Sequence, residues 1–166
     1  MRSQFETQII STLIKGEQMG QDYLIETSCS IFSRQGDGDI ITWEDISFPK
    51  LSKCGSFFDG AYNVPKATYD DWVLMNRERY SLKNAIAHSQ VTLISDAEAN
   101  RLCADYNYRW ANFYWLTRPG FSPDFSQALI QLAVYCPSSP NYASILYLER
   151  NNNQWETKSS FGLYNQ

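Results

Sequence analysis

The sequence predicts an α+β fold, a mostly antiparallel sheet of about four to six strands packed against about three helices. Apolar residues recur at helical spacing in the segments 5–15, 72–86 and 99–110, and at a spacing of two from Trp115 onward. Length supplies a further bound: 166 residues fit a single domain over 1–166, large enough to bury roughly two thirds of its unfolded surface.

The first helix is expected from Phe5 to Lys15. There Phe5, Ile9 and Leu13 fall one above another with Ile10 and Ile14 beside them, and Gly16 ends the run. A strand follows from Tyr23 to Cys29, with Tyr23, Ile25, Thr27 and Cys29 on one face and Leu24, Glu26 and Ser28 on the other. Residues 33–66 are irregular, punctuated by Gly36, Gly38, Pro49, Gly55, Gly60 and Pro65, with room for short elements such as Ile40 to Trp43. A segment of that kind inside a domain is a functional excursion or hides structure.

Thr68 and Asp71 have the spacing of a capping box, with Asp in place of the usual Glu or Gln. Behind them Trp72, Met75, Arg79, Leu82 and Ile86 form one helical seam. Gln90 to Ile94 reads as a short strand. Ser95 and Glu98 form a second box opening a helix whose Ala99, Leu102, Cys103, Tyr106 and Trp110 share a face. In the strand 127–136, Ala128, Ile130, Leu132, Val134 and Cys136 line one side and Gln127, Gln131 and Tyr135 the other. Asn151 to Asn153 turn a hairpin into 154–159. Pro119 places its strand at an edge or a bulge.

Composition excludes several function classes. The net charge is −4, and no Lys/Arg stripe exists to neutralise phosphates, so no nucleic-acid partner is expected. No segment approaches the ~20 apolar residues of a membrane span, and a polybasic surface patch is missing. The first ten residues lack the apolar core of a secretory signal. A cytoplasmic location follows if Met1 is the native start, and a periplasmic or extracellular one if a signal peptide has been removed. Five Trp, eleven Tyr and nine Phe supply core volume together with polar tips for recognition.

The segments from Trp110 to Trp155 carry a family likeness. Trp110, Phe113 and Tyr114, then Thr117, Arg118, Gly120 and Phe121, then Gln127, Ala128 and Leu129, the Tyr135–Cys136 pair, Leu148 with Glu149, and Trp155 together resemble a signature. It is that of a family of uncharacterised bacterial proteins, many exported or lipoprotein-like. The likeness reaches upstream through Tyr69, Trp72, Asn76 and Leu82 and covers about 100 residues, from 65 to 157. The resemblance implies an α+β domain and brings no activity with it. Family members often follow the Tyr-Cys strand with a glycine-rich loop bearing a second cysteine, whereas this chain has Pro137, Pro140 and Tyr142 there. The connection between Tyr114 and Leu116 is also short.

Candidate chemistry is sparse. His88 stands alone between a helix end and a strand and reads as a cap on helical carbonyls rather than a base. Cys29, Cys103 and Cys136 fall on apolar faces and read as small hydrophobes, with disulfides the alternative in an exported protein; Cys54 lies in the irregular segment. Asp37 and Asp39 read as a turn, since Ile41 stands where a calcium loop needs a third oxygen. No metal site, cofactor or catalytic residue is expected. Arg118 within an apolar strand needs a partner, with Glu149 or Glu26 as candidates, or else faces a cleft and clamps a carboxylate. The residues expected to bind are Trp110, Tyr114, Trp115, Arg118, Tyr135 and Tyr142, because an aromatic run must turn some rings outward and Trp and Tyr anchor interfaces. The function predicted is a non-enzymatic protein-interaction or assembly module. The alternatives are a small hydrolase with a carboxylate and Arg118 in a cleft, and an inhibitor or immunity protein.

Overall fold

In a computed structural model, which describes residues 1–31, 40–47, 63–86 and 91–165, the first helix, α1, spans Arg2–Gly16. The predicted face is the buried one: Ile9, Ile10, Leu13 and Ile14 all point inward. The helix starts earlier than its apolar pattern because Arg2 and Glu6 are tied down by tertiary ion pairs.

The strands are β1 (Tyr23–Ile25), β2 (Thr92–Ile94), β3 (Phe113–Leu116), β4 (Gly120–Phe121), β5 (Gln127–Tyr135), β6 (Tyr142–Asn151) and β7 (Gln154–Asn165). They form one seven-stranded sheet in the order β2-β1-β3-β5-β6-β7, with β4 also paired to β5. β1 runs parallel to both β2 and β3, and the remaining pairs are antiparallel. The expected mostly antiparallel sheet of four to six strands and three helices is therefore corrected. The sheet is mixed and larger, and the described residues contain four α-helices: α1, α2 (Trp43–Ser47), α3 (Lys66–Met75) and α4 (Asp96–Cys103). Parallel neighbours are joined by long crossovers. Three-residue strands far apart in the chain carry no local sign of pairing with one another.

Both faces of the sheet are covered. On one, α1 packs over Leu24, Leu116, Ile130, Leu132 and Leu148. On the other, Trp72 of α3 and Ile46 of α2 cover Leu129, Ala133 and Ile145, and Ala99 and Leu102 of α4 cover Ile25 and Phe113. The central strand β5 is consequently buried on both sides, Gln131 included. Its alternation marks two cores rather than a core and a solvent face.

Several boundaries move. The strand predicted over 23–29 ends at Ile25, after which Thr27 makes only an isolated bridge to Ser81. The helix predicted over 72–86 is α3, which starts at Lys66 behind Pro65 and stops at Met75. Asp71 does not close a capping box; it accepts from the Phe121 N–H at 2.7 Å and pairs with Arg2. Leu82 and Ile86 are buried from a separate turn, Lys83–Ala85. Ser95 does cap α4, accepting from Glu98 N at 3.2 Å. That helix ends at Cys103, so Tyr106 and Trp110 leave its face; the Asp105 carboxylate starts a new turn by accepting from Asn107 N. The β6–β7 hairpin turns at Asn152 and Asn153, whose φ values of 48° and 63° suit a tight turn of the type asparagine tolerates. β7 continues past Ser159 to Asn165.

Within 33–66, the described residues include α2 and the start of α3. Asp37, Asp39, Cys54 and His88 lie outside the described residues.

Candidate functional site

Between β3 and β4 the chain bulges. Leu116 pairs with Leu132 and Gly120 with Leu129, so residues 117–119 oppose only 130 and 131. Pro119 was expected to place its strand at an edge or a bulge, and its missing N–H is harmless in this bulge. Thr117 stays in the sheet, accepting from Gln131 N at 2.8 Å and from the buried Trp72 indole at 3.0 Å. The bulge releases the Arg118 backbone from the ladder, and Asn76, at the end of α3, takes it over. Its Oδ1 accepts from Arg118 N at 2.7 Å, and its Nδ2 donates to Arg118 O at 2.9 Å and to Trp72 O at 2.8 Å. One side chain thus terminates α3 and fixes the bulge.

Arg118 is thereby aimed at α1, not along the sheet. Its Nη2 donates to Glu6 Oε1 at 2.8 Å, and its guanidinium lies 4.2 Å from the centre of the Tyr80 ring. The expected partners are otherwise engaged: Glu149 accepts from the Tyr147 hydroxyl and Glu26 pairs with Lys83. Glu6, almost fully buried, is shared with Arg2, which forks onto both Asp71 oxygens at 3.2 and 2.7 Å. The four charges form one alternating chain, Arg118–Glu6–Arg2–Asp71. Such a partly buried network needs every member, because removing one strands a charge away from water.

Two grooves flank this network. The first, of about 320 Å³, is lined by Leu74, Met75, Arg77, Glu78, Arg79, Tyr80 and Arg118. Arg79 is held at 2.8 Å to both Asp96 oxygens and donates to Ser28 O. Arg77 makes no ion pair or hydrogen bond among the described residues. The second groove, of about 480 Å³, is lined by Arg2, Ala67, Asp70, Asp71, Leu74, Phe121, Ser122, Pro123 and Phe125. Leu74, 53% exposed, is the wall common to both. The first groove offers guanidinium donors, a phenol and one carboxylate. The second offers apolar rings, with Arg2 neutralised by Asp71.

Of the sequence-predicted site residues, Arg118 is the one that lines either of these two grooves. Tyr114 is buried in β3, its hydroxyl pushed up to about 12 by burial, with Asp22 and Glu17 adding to the shift. Tyr142 lies beside it across Val134, bonds Glu17 at 3.2 Å, and is likewise raised, chiefly by burial. Trp115 is half-buried between the two cores on the α3–α4 face. Of the predicted rings, Trp110, 66% exposed, and Tyr135, 38% exposed, do face solvent, as do Tyr80 at 53% and Tyr106 at 73%, the latter under Arg109. Three of the rings expected to bind, Tyr114, Trp115 and Tyr142, are thus at least half-buried, as is Trp43.

Cys29, Cys103 and Cys136 are free thiols; burial pushes Cys29 up to about 12. Among the described residues no cluster of three or more His, Cys, Asp or Glu is placed to hold a metal ion, and no helix is long and apolar enough to cross a membrane.

Sequence reasoning missed Leu74, Arg77 and the Arg2–Glu6–Asp71 chain. One signal was present: Arg79 sat in an otherwise apolar seam, which a continuous helix would have buried without a partner.

No protein-family model, curated protein or solved structure matches this chain.

Proposed function

We propose that this domain is a non-enzymatic binding module that takes an extended acidic segment of a protein partner across the end of α3. Carboxylates of the segment are held by Arg77, Arg79 and Arg118, and an apolar side chain sits in the Phe121–Phe125 groove. The observation that carries this reading is one groove lined by three guanidinium groups, of which Arg79 and Arg118 are held by Asp96 and Glu6 while Arg77 makes no ion pair among the described residues. Arg77 is the charge left for a partner's carboxylate, and the remaining N–H groups of its two neighbours add donors. Planar guanidinium groups suit carboxylates because they donate in pairs. The shared wall at Leu74 favours a peptide over a small anion, since a chain crossing it touches both grooves.

Membership of the bacterial family that the sequence resembles is part of the same proposal. Its support is that the motif residues meet structural demands. Asn76 clamps the bulge, Trp72 caps Thr117, and Gly120 lies against the α3 backbone.

Fluorescence anisotropy with labelled synthetic peptides tests the binding reading. The probes carry several Asp or Glu flanking one Phe or Leu, and their Asn/Gln analogues serve as neutral controls. Saturable binding of the acidic set that weakens with salt is expected, falling roughly 10- to 100-fold in Arg77→Glu and in Leu74→Asp. Both positions are exposed, so neither change unfolds the domain. Equal binding of the neutral analogues, or unchanged binding by both variants, would overturn the proposal.

A further inference from the structure

Two tyrosines and two carboxylates meet under the C-terminus of α1, away from the α3 surface. Tyr114 of β3 and Tyr142 of β6 both pair across Val134 of β5, so their rings share the sheet face that α1 covers. Glu17 is the C-cap of α1, and its Oε2 accepts from the Tyr142 hydroxyl at 3.2 Å. Asp22 leads into β1, its two oxygens accepting from Asn112 N and Nδ2 at 3.0 and 3.1 Å. The Tyr114 hydroxyl lies in the field of both carboxylates: after burial, Asp22 and then Glu17 push it up. Tyr142 is raised in the same way, by burial first, then by Glu17 and Tyr114. Tyr114 is 5% exposed, yet its hydroxyl makes no hydrogen bond among the described residues and is not sealed from solvent. A phenol held this deep ordinarily finds a partner.

From this placement we infer that the Glu17–Asp22–Tyr114–Tyr142 cluster binds a primary ammonium group, carried by a free alkylamine or by a lysine side chain. The charge selects the sign. Two carboxylates stand at the negative end of a 15-residue helix, and no cation acts on either phenol. Lys15, on the last turn of α1, lines a different groove beside Trp155. The hydrogen-bonding inventory selects the class. Tyr142 spends its proton on Glu17, so its oxygen offers lone pairs, as do Glu17 Oε1 and the unbonded Tyr114 oxygen. These are single acceptors on separate side chains. Neither carboxylate keeps two free oxygens side by side for a guanidinium fork, since Glu17 Oε2 and both Asp22 oxygens are already engaged. A calcium ion takes six or more oxygens, and protonated phenols are poor ligands for it. An ammonium presents three compact N–H donors to such a set. This site shares no residue with the Arg77–Leu74 surface.

The test is a titration of the full chain, carrying ¹³C-labelled tyrosine, with n-butylammonium and with an Nα-acetyl-lysine methylamide. Neutral n-butanol, n-butylguanidinium and calcium serve as controls at matched ionic strength. The ring resonances of Tyr114 and Tyr142, assigned by Tyr114→Phe and Tyr142→Phe, are expected to shift saturably with an ammonium. Affinity is expected to fall about tenfold in Glu17→Gln, an exposed position whose change leaves the fold intact. It is expected to persist in Arg77→Glu and not to fall in Lys15→Gln. Saturation by n-butylammonium supports a free amine as ligand, and a response to the lysine derivative alone supports a protein side chain. Rings unmoved by both ammonium probes, or moved equally by n-butanol, would overturn the inference. So would tighter binding of guanidinium or calcium, or an affinity unchanged in Glu17→Gln.

Discussion

A methyl group added at Gly120 probes the contact on which the α3 surface depends. A Cβ built there lies 2.3 Å from the N, Cα and Cβ of Trp72, whereas unbonded carbons rest at about 3.5–4.0 Å. All three atoms belong to the root of a fully buried residue, so no side-chain rotation relieves the overlap and α3 must withdraw from β4 by about 1 Å. Withdrawal strains the Trp72–Thr117 bond at 3.0 Å, the Asp71–Phe121 bond at 2.7 Å and the Asn76 clamp on Arg118. Overpacking costs about 1–3 kcal/mol and each of the three weakened contacts about 1 kcal/mol, for a total near 4–6 kcal/mol. For a domain of this size that lowers the melting temperature by about 10 °C. Far-UV circular dichroism through thermal and urea unfolding reads the change. Gly162→Ala, where a Cβ meets nothing within 4 Å, is the control and is expected to be near neutral. A melting temperature for Gly120→Ala within about 2 °C of native, or an equal loss in Gly162→Ala, would refute the steric reasoning.

Three further outcomes are expected. Asn76→Ala removes three hydrogen bonds at 2.7–2.9 Å and leaves the Arg118 backbone unpaired, costing about 3 kcal/mol in urea unfolding. Alkaline pH destabilises the fold through Cys29, whose thiol is raised from 9.0 to about 12 by burial. The native state keeps a proton that the unfolded chain releases, so this contribution is whole below pH 9 and is lost as pH climbs toward 12. The loss in that window should shrink in Cys29→Ala, read as unfolding free energy against pH, whereas an unchanged slope would remove Cys29 as its source. Asn153→Gly relieves the φ of 63° in the β6–β7 turn and is expected to raise the melting temperature or leave it unchanged, while Asn153→Val lowers it by a few degrees.

The α1 face, the Ser95 cap, the Asn152–Asn153 hairpin and the bulge at Pro119 were legible because each rests on contacts within a few residues. The period of two in β5 was equally visible, but its meaning was not. Alternation looks the same whether the second face meets water or a second core, and Trp72 arriving from 57 residues earlier makes it the latter. The seam of Trp72, Met75, Arg79, Leu82 and Ile86 misled for a related reason. Helical spacing continued by chance past Asn76, whose side chain bonds back to Trp72 O and ends α3.

The sequence by itself determined that this is an α+β domain with an N-terminal amphipathic helix, a C-terminal hairpin and an arginine at position 118 in need of a partner. Local periodicity, turn chemistry and composition suffice for that, since they act over one or two turns of chain. Only the tertiary structure decided that β1 pairs in parallel with β2 and β3, and that Arg118 meets Glu6 from the opposite end of the sequence. It also decided that Leu74, Arg77 and Arg79 share one surface with it. Those outcomes depend on which distant segments bury one another. That choice is set by the summed packing of both sheet faces, which no window of sequence contains.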